Sequence, residues 1–176
     1  MISKPEKVIK RIIKAVGERQ AVFVIGDWQE EFIKGIKGIK EKQNSITQSS
    51  GLSFEDNSFT RIIADYSLKV FDDEHQFFNE VRRLLLPTGM LIISANCEDS
   101  ILDEFLNLFR KDYIKECATK KIKPKLLQDQ IHDHGFLIDG YYGYPGGHLL
   151  MMAQIQNKEV TTLFRAERQE TITNKS

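Results

Sequence analysis

The spacing of apolar positions changes from segment to segment along the chain. Val8, Ile9, Ile12, Ile13 and Val16 recur at the steps of one helix face, and Gly17 is placed to end that helix. Ala21 to Ile25 is a short unbroken apolar run closed by Gly26, the pattern of a strand buried on both faces. Asp27 then suits the cap of a helix carrying Phe32, Ile33, Ile36 and Ile39. Gly35 and Gly38 each weaken that helix by up to about 1 kcal/mol. The stretch from Asn44 to Ser53 is polar, with room for one short edge strand around Ile46.

Asp56-Asn57 signals a turn, and Phe59 to Tyr66 reads as a strand. Asp72-Asp73-Glu74 puts negative charge where a helix begins, ahead of Phe77, Phe78, Val81, Leu84 and Leu85. Pro87-Thr88-Gly89 predicts a turn after that helix, and Met90 to Ala95 a second buried strand. Asp99-Ser100 opens a further helical pattern through Ile101, Leu102, Phe105, Leu106 and Phe109. Pro124 suits the first position of a helix running through Ile131, closed by Gly135. Phe136 to Tyr142 and His148 to Ile155 read as two strands around Tyr144-Pro145-Gly146-Gly147.

Strand–helix alternation predicts an α/β, Rossmann-like fold: a mostly parallel sheet of about six strands with helices on both faces. The last two strands lack a helix between them, so the chain is expected to close in an antiparallel hairpin. The pattern places one domain over residues 1–157 and a polar, disordered tail over 158–176.

Composition narrows the function class. The chain has 176 residues, with 25 basic and 25 acidic side chains. The middle is acidic and the flanks are basic, so no general attraction to nucleic acid is expected. Lys120, Lys121, Lys123 and Lys125 read as a solvated helix start. Two cysteines, Cys97 and Cys117, are too few for a disulfide framework. No run reaches the roughly 18 apolar residues needed to span a bilayer. These features predict a soluble, cytoplasmic protein without a membrane partner.

Candidate chemistry outside the main pattern is sparse. His132 and His134 are two apart and point to different sides of a helix, so no metal site is expected from them. Either imidazole suits the last carbonyls of that helix. Cys97 has no basic neighbour in sequence and reads as an idle buried thiol. Tyr141, Tyr142 and Tyr144 make an aromatic loop suited to a lid, a protein contact or a tight hairpin.

Three stretches carry a family resemblance. They are Leu52-Ser53-Phe54-Glu55-Asp56-Asn57-Ser58-Phe59, Ile62-Ile63-Ala64-Asp65-Tyr66-Ser67-Leu68, and Glu80 through Pro87-Thr88-Gly89 to Ile92-Ile93-Ser94. Together they resemble class I S-adenosylmethionine (SAM) dependent methyltransferases, and His134-Gly135-Phe136 resembles the approach to that family's closing hairpin. The resemblance implies SAM as cofactor and a small-molecule or protein methyl acceptor. It implies cofactor contacts at Gly26, Asp27, Gln48, Ser49 and Asp65. Asp65 and Tyr66 are the implied catalytic candidates, beside the transferred methyl group.

The same resemblance exposes three departures. The family's glycine loop corresponds here to Val24-Ile25-Gly26-Asp27-Trp28-Gln29-Glu30, where only Gly26 remains of three glycines. Glycine lets the backbone approach a ligand closely, so Trp28 is expected to crowd the methionine pocket. Between Gly26 and Leu52 there is room for one helix and one strand but not for the further strand–helix unit of the family. No ribose-binding acid is evident, with Glu41 the weak candidate. The family's acid near the adenine aligns with Gln48, followed by Ser49. Two readings follow: a small SAM-dependent methyltransferase, or a pseudoenzyme that keeps the fold as an interaction or scaffold module. The second acts as a homodimer or as partner of an active enzyme.

Overall fold

The computed structural model describes residues 5–18, 20–26, 28–43, 53–66, 73–97, 122–144 and 147–156. Ten elements alternate along them. Helix α1 is Glu6–Val16, β1 Val22–Ile25, α2 Glu30–Gly35, β2 Ile39–Gln43 and β3 Phe59–Asp65. Then come α3 Glu74–Leu84, β4 Leu85–Asn96, α4 Pro124–Asp133, β5 Phe136–Tyr144 and β6 His148–Ile155. The six strands form one sheet in the order β2-β1-β3-β4-β6-β5. β1 pairs in parallel with β2 and β3, and β3 with β4. β6 runs antiparallel to both β4 and β5. The Rossmann-like α/β fold and its C-terminal antiparallel hairpin are as the pattern predicts.

Each face of the sheet carries its own core. On one, Phe77, Phe78, Val81 and Leu84 of α3 and Leu127 and Ile131 of α4 pack on Phe23, Ile62, Leu91 and Met151. On the other, Val8, Ile12 and Val16 of α1 and Phe32 of α2 pack on Val22, Val24, Ile63 and Leu150. Burial follows the helical spacing in α1 and α3, whose polar residues face out. Asp73 caps α3 by accepting from the His75 and Gln76 amides at 2.8 and 3.3 Å. Pro124 opens α4, where its missing N–H costs nothing.

Two sequence expectations are corrected. The helix after β1 stops at Gly35, so Ile36 lies beyond it and Ile39 begins β2. Gly38 has φ +81°, and a β-carbon there would collide with the Gln20 carbonyl oxygen. That conformation turns the chain into the sheet, where the Val22 amide donates to the Gly38 carbonyl at 2.9 Å. Among the described residues the edge strand is Ile39–Gln43; the short strand expected within 44–53 falls on residues that, Ser53 apart, lie outside them. Finally, Pro87-Thr88-Gly89 falls inside β4 as a bulge: Phe59 pairs with Leu85 and Arg61 with Met90. The expected helix at 99–109, the 158–176 tail, Asp27, Gln48 and Ser49 lie outside the described residues.

Candidate functional site

Strand order reverses between β1 and β3, because β1 is followed by β2 on one side and flanked by β3 on the other. In open α/β sheets the crevice at the carboxyl ends of such strands is where ligands bind. Gly26 directly follows β1 and Asp65 ends β3, so two of the sequence-derived candidates meet there. Gly26 has φ +111°, and a β-carbon on it would lie 2.7 Å from the Asp65 β-carbon. Asp65 is 4% exposed and pairs across the sheet with Ser94, which is also buried. The acid and the glycine are thus in direct contact.

Trp28 follows at once. Its indole is 2% exposed and stacks on Phe32 at 4.4 Å and 24°. The ring N–H donates to the Ile25 carbonyl at 2.9 Å. The apolar body is therefore buried, and its one polar atom is satisfied by the end of β1. Trp28 belongs to the core beneath α1, together with Val8 and Ile12, as well as bordering Gly26. The helix after it has only six residues and opens with Glu30 and Glu31.

The neighbouring strand end carries no carboxylate. β2 ends in Gln43, whose carbonyl accepts from the Gly26 amide at 2.8 Å. Glu41 lies opposite Phe23, two residues back from Gln43, or roughly 7 Å below the strand end.

Tyr66 points elsewhere. Its ring sits 6.3 Å from both Phe77 and Phe78, and its hydroxyl donates to Gln130 Oε1 at 3.0 Å. Gln130 Nε2 in turn donates to the Glu74 carboxylate. Burial, then the nearby Glu74 charge, hold the Tyr66 phenol well above its ordinary range. Tyr66 links β3, α3 and α4, the packing role that competes with its catalytic candidacy.

Two further groupings lie off this crevice. A pocket of about 180 Å³ at the ends of β4, β5 and β6 is lined by Cys97, Pro124, Tyr141, Tyr144 and His148. Cys97 is buried, as its sequence context predicts. The second was not signalled by sequence: His134 Nε2 stands 2.8 Å from His75 Nδ1, across 59 positions of chain. His134 Nδ1 lies 2.7 Å from the Gln130 carbonyl, the helix-end role expected for it. Among the described residues, no group of three or more His, Cys, Asp and Glu is arranged to hold a metal, and no helix is long and apolar enough to cross a membrane.

The comparisons agree with this architecture. Residues 10–93 match the family model described as a methyltransferase domain. A SAM-dependent methyltransferase from Thermotoga maritima superposes with a TM-score of 0.58 at 15% identity, over 84% of this chain and 88% of that one. A SAM-dependent methyltransferase from Methanosarcina mazei gives 0.56 at 19% identity, over 84% and 98%. The complex of the Haloferax volcanii Trm112 methyltransferase activator with a protein assigned as a methyltransferase gives 0.59 at 14%, over 84% and 88%. No curated protein matches the chain in sequence. The fold is that of these SAM-dependent methyltransferases, and the model of a methyltransferase domain matches 84 of the 176 residues in sequence.

Proposed function

We propose that this chain is a methyltransferase-fold interaction module whose crevice is not built to hold SAM tightly. The observation that carries the reading is Trp28, buried against Phe32 and hydrogen-bonded to the end of β1 where the family has a glycine loop. A loop anchored by a core indole does not open to cradle a ligand without exposing that ring. Two features add to it. β2 ends in an amide where a ribose-binding acid is expected. Glu30 and Glu31 put negative charge in the first turn of α2, where a methionine carboxylate would be repelled.

The module's partner surface is the outer edge of β2, which no other strand pairs with among the described residues, and its occupant is a second copy of the chain. One neighbour's assembly with an activator is a precedent for partner binding on this fold.

The test is a calorimetric titration with SAM and S-adenosylhomocysteine, with Trp28 fluorescence as a second readout. The reading expects no saturable binding at or below about 100 μM, which corresponds to roughly 5.5 kcal/mol. Micromolar binding would transfer the conclusion to the enzymatic reading. In that reading, the buried carboxyl group of Asp65 stands at the strand end beside the cofactor.

A further inference from the structure

We infer that His75 and His134 form a two-imidazole site for a tetragonal divalent metal ion, Cu²⁺ before Zn²⁺, that staples α3 to α4. This site is independent of the SAM crevice. His75 sits in the first turn of α3, its amide held by the Asp73 cap at 2.8 Å. His134 caps α4 and stacks on Phe78 at 4.7 Å and 22°. Both backbones are thus fixed by helix ends, and both side chains reach solvent at the junction.

The protonation states follow from the partners. A backbone carbonyl can only accept, so His134 Nδ1 carries a proton towards Gln130 at 2.7 Å. Its Nε2 therefore presents a lone pair. A hydrogen bond on the far nitrogen is what orients a metal-binding imidazole and fixes its tautomer. That lone pair faces His75 Nδ1 at 2.8 Å, which in the metal-free pair supplies the proton between them. A metal ion displaces this proton; the His75 ring then carries it on Nε2 instead, so the site presents two lone pairs, one of them newly exposed, without losing a ring proton overall.

Ligand type and affinity order select the ion. The 2.8 Å separation is that of the shared proton; once an ion displaces it, small turns of the two rings bring both lone pairs onto one metal, with water completing the remaining positions of a tetragonal Cu²⁺ or Ni²⁺ site. The order of divalent affinities also favours Cu²⁺. Asp73, Glu74 and Asp133 flank the two histidines in sequence, and Arg82, whose guanidinium donates to the His134 carbonyl at 3.2 Å, offsets part of their charge.

The experiment titrates the full chain with Cu²⁺ and, separately, Zn²⁺, with glycine as competing chelator. Binding is read by calorimetry, and the number of coordinated nitrogens by electron paramagnetic resonance. The expected result is one Cu²⁺ bound at micromolar Kd through two imidazole nitrogens, with Zn²⁺ at least tenfold weaker. His75→Asn and His134→Asn each weaken Cu²⁺ at least tenfold and leave one nitrogen, while His132→Ala changes nothing. Asparagine keeps a polar group at each position; if one variant fails to fold, the other decides. Unchanged Cu²⁺ affinity in a folded His75→Asn or His134→Asn variant, or Zn²⁺ binding as tightly as Cu²⁺, overturns the proposal.

Discussion

The β-carbon that Gly26 lacks would stand 2.7 Å from the β-carbon of Asp65. The end of β1 and the end of β3 are therefore in backbone-to-side-chain contact, at the point where the sheet reverses its strand order. Gly26 is fixed twice, by that contact and by its φ of +111°.

Gly26→Ala tests this contact. The substitution adds a methyl group against a buried neighbour and strains the backbone, and each effect costs about 1–3 kcal/mol. Urea unfolding should show a combined loss of about 3 kcal/mol or more. A loss below about 1 kcal/mol would mean that the strands separate easily and that the crevice is open.

Trp28 is the chain's single tryptophan, so its emission reports one place. At 2% exposure its native spectrum should be blue-shifted and poorly quenched by acrylamide, moving to the red on unfolding. Trp28→Ala empties a stacked core position and should cost about 3–5 kcal/mol. Trp28→Gly should not produce tight SAM binding, since the amide at the end of β2 remains.

The sheet was legible because its strands announce themselves locally. Phe136 to Tyr144 and His148 to Ile155 are apolar runs separated by Pro and Gly, and the turn fixes their pairing. Ile39 was not legible: it continues the helical spacing of Phe32 and Ile36, and only the close approach of Gly38 to Gln20 sends it into β2. Trp28 showed that the glycine loop had changed, but not that the ring turns into the core, because its partner Val8 precedes it by 20 positions. The contact between His75 and His134 spans 59 positions and depends on how α3 and α4 dock. Periodicity carries no information about such a meeting.

Tyr66 gives a pH prediction. Its folded phenol is held above its ordinary value, first by burial and then by Glu74. Above about pH 10 the unfolded chain loses this proton and the folded chain keeps it. Stability is therefore full below pH 10 and falls as pH rises further, by up to about 1.4 kcal/mol per pH unit. Tyr66→Phe should cost about 1 kcal/mol at neutral pH, through the lost bond to Gln130, and should flatten the alkaline slope. An unchanged slope in the variant would remove Tyr66 as its source.

The edge of β2 gives the last prediction. Among the described residues β2 has β1 on one side only, so the backbone groups along its other side face outward from the described sheet. Its residues run Ile39-Lys40-Glu41-Lys42-Gln43, with Lys40 and Lys42 exposed and Glu41 half-buried. Lysines on an edge discourage indiscriminate pairing. Residues opposite each other in an antiparallel pair share a face, so where the same edge of two copies meets, Lys40 and Lys42 stand opposite lysines and Glu41 opposite Ile39, Glu41 or Gln43. Setting Lys40 opposite Lys42 is repulsive, so the backbone hydrogen bonds along the edge must outweigh these charges for two copies to pair. Sedimentation equilibrium at micromolar concentration should give a mass near twice that of one chain. Lys40→Glu turns the Lys40–Lys42 contact into an opposite-charge pair and should tighten the dimer, with native circular dichroism retained. A single-chain mass for the unmodified protein would exclude the second copy and leave a different protein as the occupant of the edge.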